Sequence, residues 1–346
     1  MRNKILTFAA SLCLLCACGD TGGDLPSDDE AVVTVIFYDN GLGDLSYCDN
    51  IYWGLCRIYE KCRATYNLRM EVYTPNDSEL SDKTIDDWFK KERTSRELLI
   101  LTTSKAIQPF AEHPEWKSEP GAEVLLLDCD RDDLDVYTGY VTLYGVSYFT
   151  GVAIKEAGLD KAAVVMANRT DKPILESAEG FADGFRHAGG SLGPDDTYYF
   201  AEESSDGYAM PDEAYRLSYN LNNEGYQFII PVCGGSSQGI YRYARRYESD
   251  NGTGNLPFYS CGLDVDQQMM SSCVLFSIVK KYDILLENFV GDWLEGRERP
   301  KHQRLMLDSG FADVIIADGY KDRIGHDDYE RMKGEAIAAE RAYYSK

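Results

Sequence analysis

From residue 32 the chain alternates short apolar runs with amphipathic stretches. VVTVIFY (32–38), LRMEVYT (68–74), ELLILTT (97–103) and EVLLLD (123–128) have the length and composition of buried strands. Between the first two, Ile51, Leu55, Ile58 and Tyr59 recur at helical spacing. After residue 145 the rhythm resumes, with helices expected at 147–157, 174–188, 211–222 and 238–247. Strands are expected at 161–166, 197–202 and 227–232. Strand–helix alternation predicts parallel sheets with helices on both faces. Two sets of strands predict an α/β protein of two doubly wound lobes.

The N-terminus changes the picture of where such a protein works. MRNKILTFAASLCLLCAC carries Arg2 and Lys4 ahead of an apolar stretch too short to span a bilayer. Residues 1–17 read as a signal peptide. Leu15-Cys16-Ala17-Cys18 looks like a lipobox, with Cys18 as the lipidated residue. Residues 18–31, rich in Gly and Asp, read as a disordered tether. This predicts a protein of the bacterial cell envelope, anchored to the membrane through Cys18 and facing the periplasm or the exterior. Loss of Arg2 and Lys4 takes the net charge from −23 to −25. Such an acidic chain repels phosphate backbones, so nucleic acid is not an expected partner. Seven cysteines remain after Cys18, an odd number without C-x-x-C spacing, and no metal or cofactor is expected.

In parallel sheets, ligands gather beyond the carboxyl ends of strands. Those positions hold Asp39 and Asn40, Thr102 to Ser104, Asp128, Asn168, Gly234 to Ser237 and Asp264, with Tyr47 and Tyr148 nearby. None of the four histidines is among them. A polar, aromatic-lined cleft without histidines suits a neutral hydroxylated ligand better than acid–base catalysis. CGGSSQG (233–239) does fit G-x-S-x-G, with Ser237 in the nucleophile's place. A triad would need His302 or His326 to fold back, and no HGGG-type oxyanion segment precedes it. A glycine turn is expected instead, either structural or presenting backbone N–H groups to a ligand. The chain is not expected to be an enzyme.

Several segments together resemble the basic membrane protein (BMP) family of ABC-transporter substrate-binding lipoproteins, which includes nucleoside receptors. They are GLGDLSYCDNIYWGL (41–55), SYFTGVAIKEAG (147–158), AEGFADGFRHAGG (178–190), CGGSSQGIY (233–241), YSCGLDVDQ (259–267), SIVKKYD (277–283) and LDSGFADVII (307–316). Order and spacing hold from about residue 32 to 320, and G-L-D-V-D-Q is the most specific match. The resemblance implies a type I periplasmic binding protein, two lobes joined by three crossovers. It assigns 32–146 with 262–292 to the N-terminal lobe, 147–261 with 293–320 to the C-terminal lobe, and 321–346 to a C-terminal helix. The implied partners are a nucleoside or similar small molecule and an inner-membrane ABC permease.

Carried over residue by residue, the resemblance implies that Asp264 accepts hydrogen bonds from ribose hydroxyls and that Lys280 reaches the same ring. Tyr47 would stack on a base, Asp44 and Ser46 would meet its polar edge, and Gly234, Gly235 and Ser236 would form the ligand turn. Against these stand plainer readings: helix caps for Asp264, Asp44 and Ser46, core packing for Tyr47, and a solvated helix lysine for Lys280. Gly43, Tyr47, Cys48 and Ser237 depart from the family's pattern, mostly at the base end. The second aromatic of the base sandwich has no clear match, with Phe200 and Tyr208 as candidates. A sugar or other small-metabolite receptor, or a sensor without transport, is the alternative, and a hydrolase using Ser237 a more distant one.

Overall fold

The computed structural model describes residues 30–38, 41–93, 95–203, 205–252 and 258–346. The signal segment, Cys18, most of the tether, and Asp39 and Asn40 lie outside the described residues. In chain order the elements are β1 (Ala31–Ile36), α1 (Tyr47–Tyr66), β2 (Leu68–Tyr73), α2 (Ser78–Lys90), β3 (Arg96–Leu101), α3 (Ile107–Glu112), β4 (Ala122–Leu127), β5 (Tyr137–Val141) and α4 (Tyr144–Glu156). They continue with β6 (Ala162–Met166), α5 (Lys172–His187), β7 (Thr197–Tyr199), α6 (Pro211–Asn223), β8 (Phe228–Val232), α7 (Ser237–Asn251), β9 (Tyr259–Asp264) and β10 (Val274–Lys280). The last are α8 (Tyr282–Leu294), β11 (His302–Leu305), β12 (Ala312–Ile316) and α9 (His326–Tyr344).

These elements make two six-stranded sheets, ordered β11-β5-β4-β3-β1-β2 and β12-β10-β9-β8-β6-β7. All pairs are parallel except β10 with β12. Strands covered by helices on both faces have no polar side to show, and β1, β6 and β8 are buried at every position. One apolar core runs through both lobes, joining Val33 and Ile51 to Phe149, Phe181 and Phe228. Separate cores lie under the outer helices of each lobe.

Glycine allows the closest helix contact, that of α4 on α5. A Cβ at Gly184 would lie 2.0 Å from Tyr148 O, and one at Gly180 2.3 Å from Tyr144 O. Gly151 from the other side would meet Phe181 O at 2.3 Å. The glycines of SYFTG and of AEGFADG thus serve backbone-to-backbone packing, where any side chain would force the helices apart.

The chain passes between the lobes three times: at Thr142–Leu143, at Lys281, and along 306–311. The expected lobe boundaries need correction here. Residues 259–280, most of which were assigned to the first lobe, form β9 and β10 of the second sheet. Residues 302–305, assigned to the second lobe, form the edge strand β11 of the first. Helix α8 packs on α1 of the first lobe, and β12 joins the second sheet. The reason is local pairing: β9 adds to its predecessor β8 and β10 to β9, so the crossover comes after Lys280. Apolarity marks a strand without saying which sheet it joins. Among the described residues no helix is long and apolar enough to cross a membrane.

Candidate functional site

The carboxyl ends of the two sheets face a cleft of about 740 Å³. From the first lobe come Tyr38, the loop 41–44, Tyr47, Thr102 to Lys105 and Asp128. The second lobe supplies Asp171, Tyr208, Gly234, Gly235, Asp264 and Lys280. The volume is within the range of small-molecule sites.

The floor is charged and buried. Lys280 ends β10 with its side chain 4% exposed, and its Nζ lies 3.3 Å from Asp264 Oδ1 and 3.4 Å from Asp128 Oδ1. Asp128 follows β4 in the first lobe and Asp264 ends β9 in the second, so the lysine joins carboxylates across the cleft. Both aspartates have left-handed backbones, with φ of 51° and 68°. That conformation is uncommon outside glycine and is often found where a site constrains the chain. Tyr282 donates to Asp128, and the Lys280 ammonium sits 4.4 Å from the centroid of the Tyr47 ring. Burial pushes the Asp128 carboxyl up despite the nearby ammonium. Burial alone would depress Lys280, but the charges of Asp128 and Asp264 more than offset this and hold it protonated.

Six of the eight expected ligand residues line the cleft: Asp44, Tyr47, Gly234, Gly235, Asp264 and Lys280. Ser46 and Ser236 do not. Ser46 Oγ is buried 2.9 Å from both Leu263 O and Asp264 Oδ2, where it steadies the aspartate. Ser236 Oγ accepts from Met210 N and donates to Gly207 O, both at 2.7 Å. It ties two loops of the second lobe together. The geometry favours the cap reading for Asp44, whose carboxylate accepts from the N–H groups of Ser46, Cys48 and Asp49 at the start of α1. Burial raises its pKa even so. Asp264 opens no helix, and Lys280 is a strand residue rather than a solvated helix lysine. Tyr47 packs edge-on against Tyr282, with ring centroids 5.2 Å apart.

Gly234 has φ of 51°, and a Cβ there would lie 2.7 Å from Tyr208 Cδ1. The glycine turn therefore makes room for an aromatic ring. Of the two candidates for a second aromatic, Tyr208 lines the cleft and Phe200 does not. Its hydroxyl donates to Asp171, and Lys105 of the opposite lobe reaches to 6.0 Å from its ring centroid. Asp128 was readable only as a polar strand end; Asp171 stands at the N-cap position of α5 and Tyr208 sits in a short 3-10 turn, too brief for a periodic signal. Gln267 of G-L-D-V-D-Q serves the frame: it accepts from Leu263 N and Tyr241 and donates to Leu45 O across the lobes.

Ser237 is 3% exposed and does not line the cleft, and neither does any histidine. His113 stacks on Trp116, His187 lies against Tyr148, His302 meets Thr138 and Asp130, and His326 begins α9. The arrangement offers Ser237 no histidine in the cleft.

No protein-family profile matches the chain. Solved structures of similar fold include an ABC transporter system solute-binding protein from Aeropyrum pernix K1. It has a TM-score of 0.71 at 16% identity, covering 90% of this chain and 92% of that one. A periplasmic solute-binding protein of an ABC transporter from Actinobacillus succinogenes 130z, with bound D-allose, has a TM-score of 0.58 at 12% identity, covering 85% and 99%. GanP, a glucose-galactose binding protein from Geobacillus stearothermophilus, has 0.57 at 12%, covering 84% and 99%. Transcription regulators share the architecture too. At these identities the likeness is one of fold, and the fold is that of the type I periplasmic binding proteins.

Proposed function

We propose that this chain is a lipid-anchored solute-binding protein that captures an uncharged, hydroxyl-bearing molecule, nucleoside-like in character, and delivers it to an ABC permease. The observation that carries the reading is the buried Asp128–Lys280–Asp264 group, shared between facing lobes and flanked by Tyr47 and Tyr208. Adjacent hydroxyls donate to carboxylates and accept from an ammonium, so a diol matches this set without adding net charge to a buried site. The two rings offer apolar faces for a flat or pyranose-like body. Closure of the lobes on the solute shifts a hinge equilibrium and involves no covalent chemistry. Anchoring through Cys18 rests on the lipobox-like sequence alone.

One observation favours a second reading, a sugar receptor. The carboxylate of Asp44 is already engaged by three N–H groups of α1, which leaves it poorly placed to read a base. Two solute-binding neighbours, GanP and the D-allose-bound protein, are sugar binders.

A thermal-shift screen of the protein, stripped of carried solute by unfolding and refolding, tests both. Nucleosides, free bases, ribose and hexoses form the panel. At a hundredfold excess over Kd, a solute that binds only the folded state adds about 2.7 kcal/mol. A nucleoside shift abolished by Asp264→Ala supports the first reading. A shift with hexoses alone replaces it with the second, and no shift with any member rejects both.

A further inference from the structure

Helix α9 belongs to the second lobe, where it packs along α4 and sets Tyr329 against Phe149 at 5.1 Å between centroids. Its last two turns reach the crossovers. Glu340 is 1% exposed, and its carboxylate meets two of the three. Oε1 accepts from Thr142 Oγ1 at 2.7 Å and from Gly145 N at 3.0 Å, at the first crossover. Oε2 accepts from Leu307 N at 2.8 Å, at the third. The remaining crossover joins indirectly, since Lys281 N donates to Phe311 O at 2.8 Å. Gly145 is needed for the approach, because a Cβ there would lie 2.8 Å from the Glu340 carboxyl carbon.

Neighbouring residues act on the same segments. Arg341 pairs with Asp308 of the third crossover at 2.6 Å, and the Tyr343 ring stacks on Tyr144 at 4.1 Å. Nothing in these contacts touches the cleft lining. A buried carboxylate is an expensive tether for segments that apolar packing could hold. What it provides is directional: three N–H and O–H donors from two crossovers must converge on one group, which fixes their backbone angles together.

We propose that Glu340 is a positioning residue of the hinge, and that the end of α9 sets the equilibrium between open and closed lobes. The proposal rests on the two-lobed fold and not on the identity of the solute. Replacing the acid frees the crossovers to adopt other angles, so the balance between open and closed lobes shifts.

The test compares Glu340→Gln with Met332→Ala, a buried residue on the same helix but away from the crossovers. Gln keeps one acceptor oxygen and sets an NH2 group against a backbone or hydroxyl donor. Small-angle scattering of the solute-free protein and amide exchange at Gly145 and Leu307 are the readouts. Loss of a charged hydrogen bond is expected to shift the open-to-closed ratio on the order of tenfold or more. The expected result is a changed radius of gyration and faster exchange at both amides in Glu340→Gln, with Met332→Ala less stable but unchanged in radius. Arg341→Ala, an exposed position that leaves the core intact, should shift the radius the same way by less. Wild-type radii in both Glu340→Gln and Arg341→Ala, with only the melting temperature lowered, would overturn the proposal. So would an equal change of radius in Met332→Ala. A failed solute screen beside an altered solute-free radius would sink the solute reading and leave the hinge role standing.

Discussion

Replacing Lys280 by Met tests the charged floor of the cleft without any solute. Met retains the length and the apolar stem, so the loss is the ammonium. Lys280 is 4% exposed, and its carboxylate partners Asp264 and Asp128 are 7% and 12% exposed, so solvent screening is weak. At an effective dielectric of about 20, a contact near 3.3 Å corresponds to roughly 5 kcal/mol of attraction before desolvation is counted. Removing one partner of a buried pair typically costs about 3–5 kcal/mol, because the remaining charge is stranded. Here two carboxylates are stranded and repel each other, which puts the expected loss at the upper end of that range near neutral pH.

The variant has a relief that wild type does not need. Burial already raises the Asp128 carboxyl, and loss of the opposing ammonium raises it further. The folded variant then binds more protons than the unfolded chain, so its stability grows as pH falls. The slope is up to about 1.4 kcal/mol per pH unit for one proton. Urea unfolding followed by circular dichroism at about pH 7.5 and about pH 5.5 should show the deficit shrinking by as much as about 2.7 kcal/mol. Adding Asp128→Asn should recover part of the loss at the higher pH. A deficit below about 1 kcal/mol, or one equal at both pH values, would mean that the lysine is effectively solvated and that the electrostatic reasoning fails.

Ser236→Ala should cost about 1–3 kcal/mol in urea unfolding, since Met210 N loses its buried acceptor. A fluorophosphonate probe should leave wild type and Ser237→Ala equally unlabelled, and labelling of wild type alone would restore the hydrolase reading. The melting temperature should peak on the acid side of neutrality. Burial raises Asp44, Asp128, Glu176 and Glu340, so the folded state holds extra protons and gains stability as pH falls through their raised values. Burial opposes ionisation of Asp130 too, but Arg304 and Lys172 pull it below its ordinary 3.8, so its contribution is present above that value and lost as pH falls further. A midpoint that climbs steadily to about pH 8 would contradict this balance.

The fold was legible where burial makes a strand uniformly apolar. VVTVIFY and QFIIPV are found within about two residues of their expected bounds, the usual error of pattern reading. Strands that carry polar or small residues were hidden. β5 reads YTGYV, and β11 reads HQRL, an edge strand with three polar side chains out of four. In the site, strand-end position pointed to Asp128, Asp264 and the glycine turn, and family resemblance to Lys280. What no local pattern carries is which hydroxyl or carboxylate the backbone consumes. Ser46, Ser236 and Asp44 are polar, correctly located in the chain, and already occupied by Asp264, by Gly207 and Met210, and by the start of α1. The seam of Gly151, Gly180 and Gly184 resembled a family signature, yet its physical cause is close helix packing.

The pairing of β11 with β5 sets the order in which the molecule can be made. His302 lies opposite Thr138, 164 residues earlier, so the first sheet stays incomplete until almost the whole second lobe exists. A nascent chain ending before residue 302 presents β5 as an unpaired edge, open to strand addition from other chains. Helix α8, which covers α1, is also late, so the half synthesised first has neither its edge nor its cover. Such long-range closure is slow and favours assembly after synthesis over assembly along the way. The lobe begun first in the sequence therefore cannot be finished until nearly all of the chain exists.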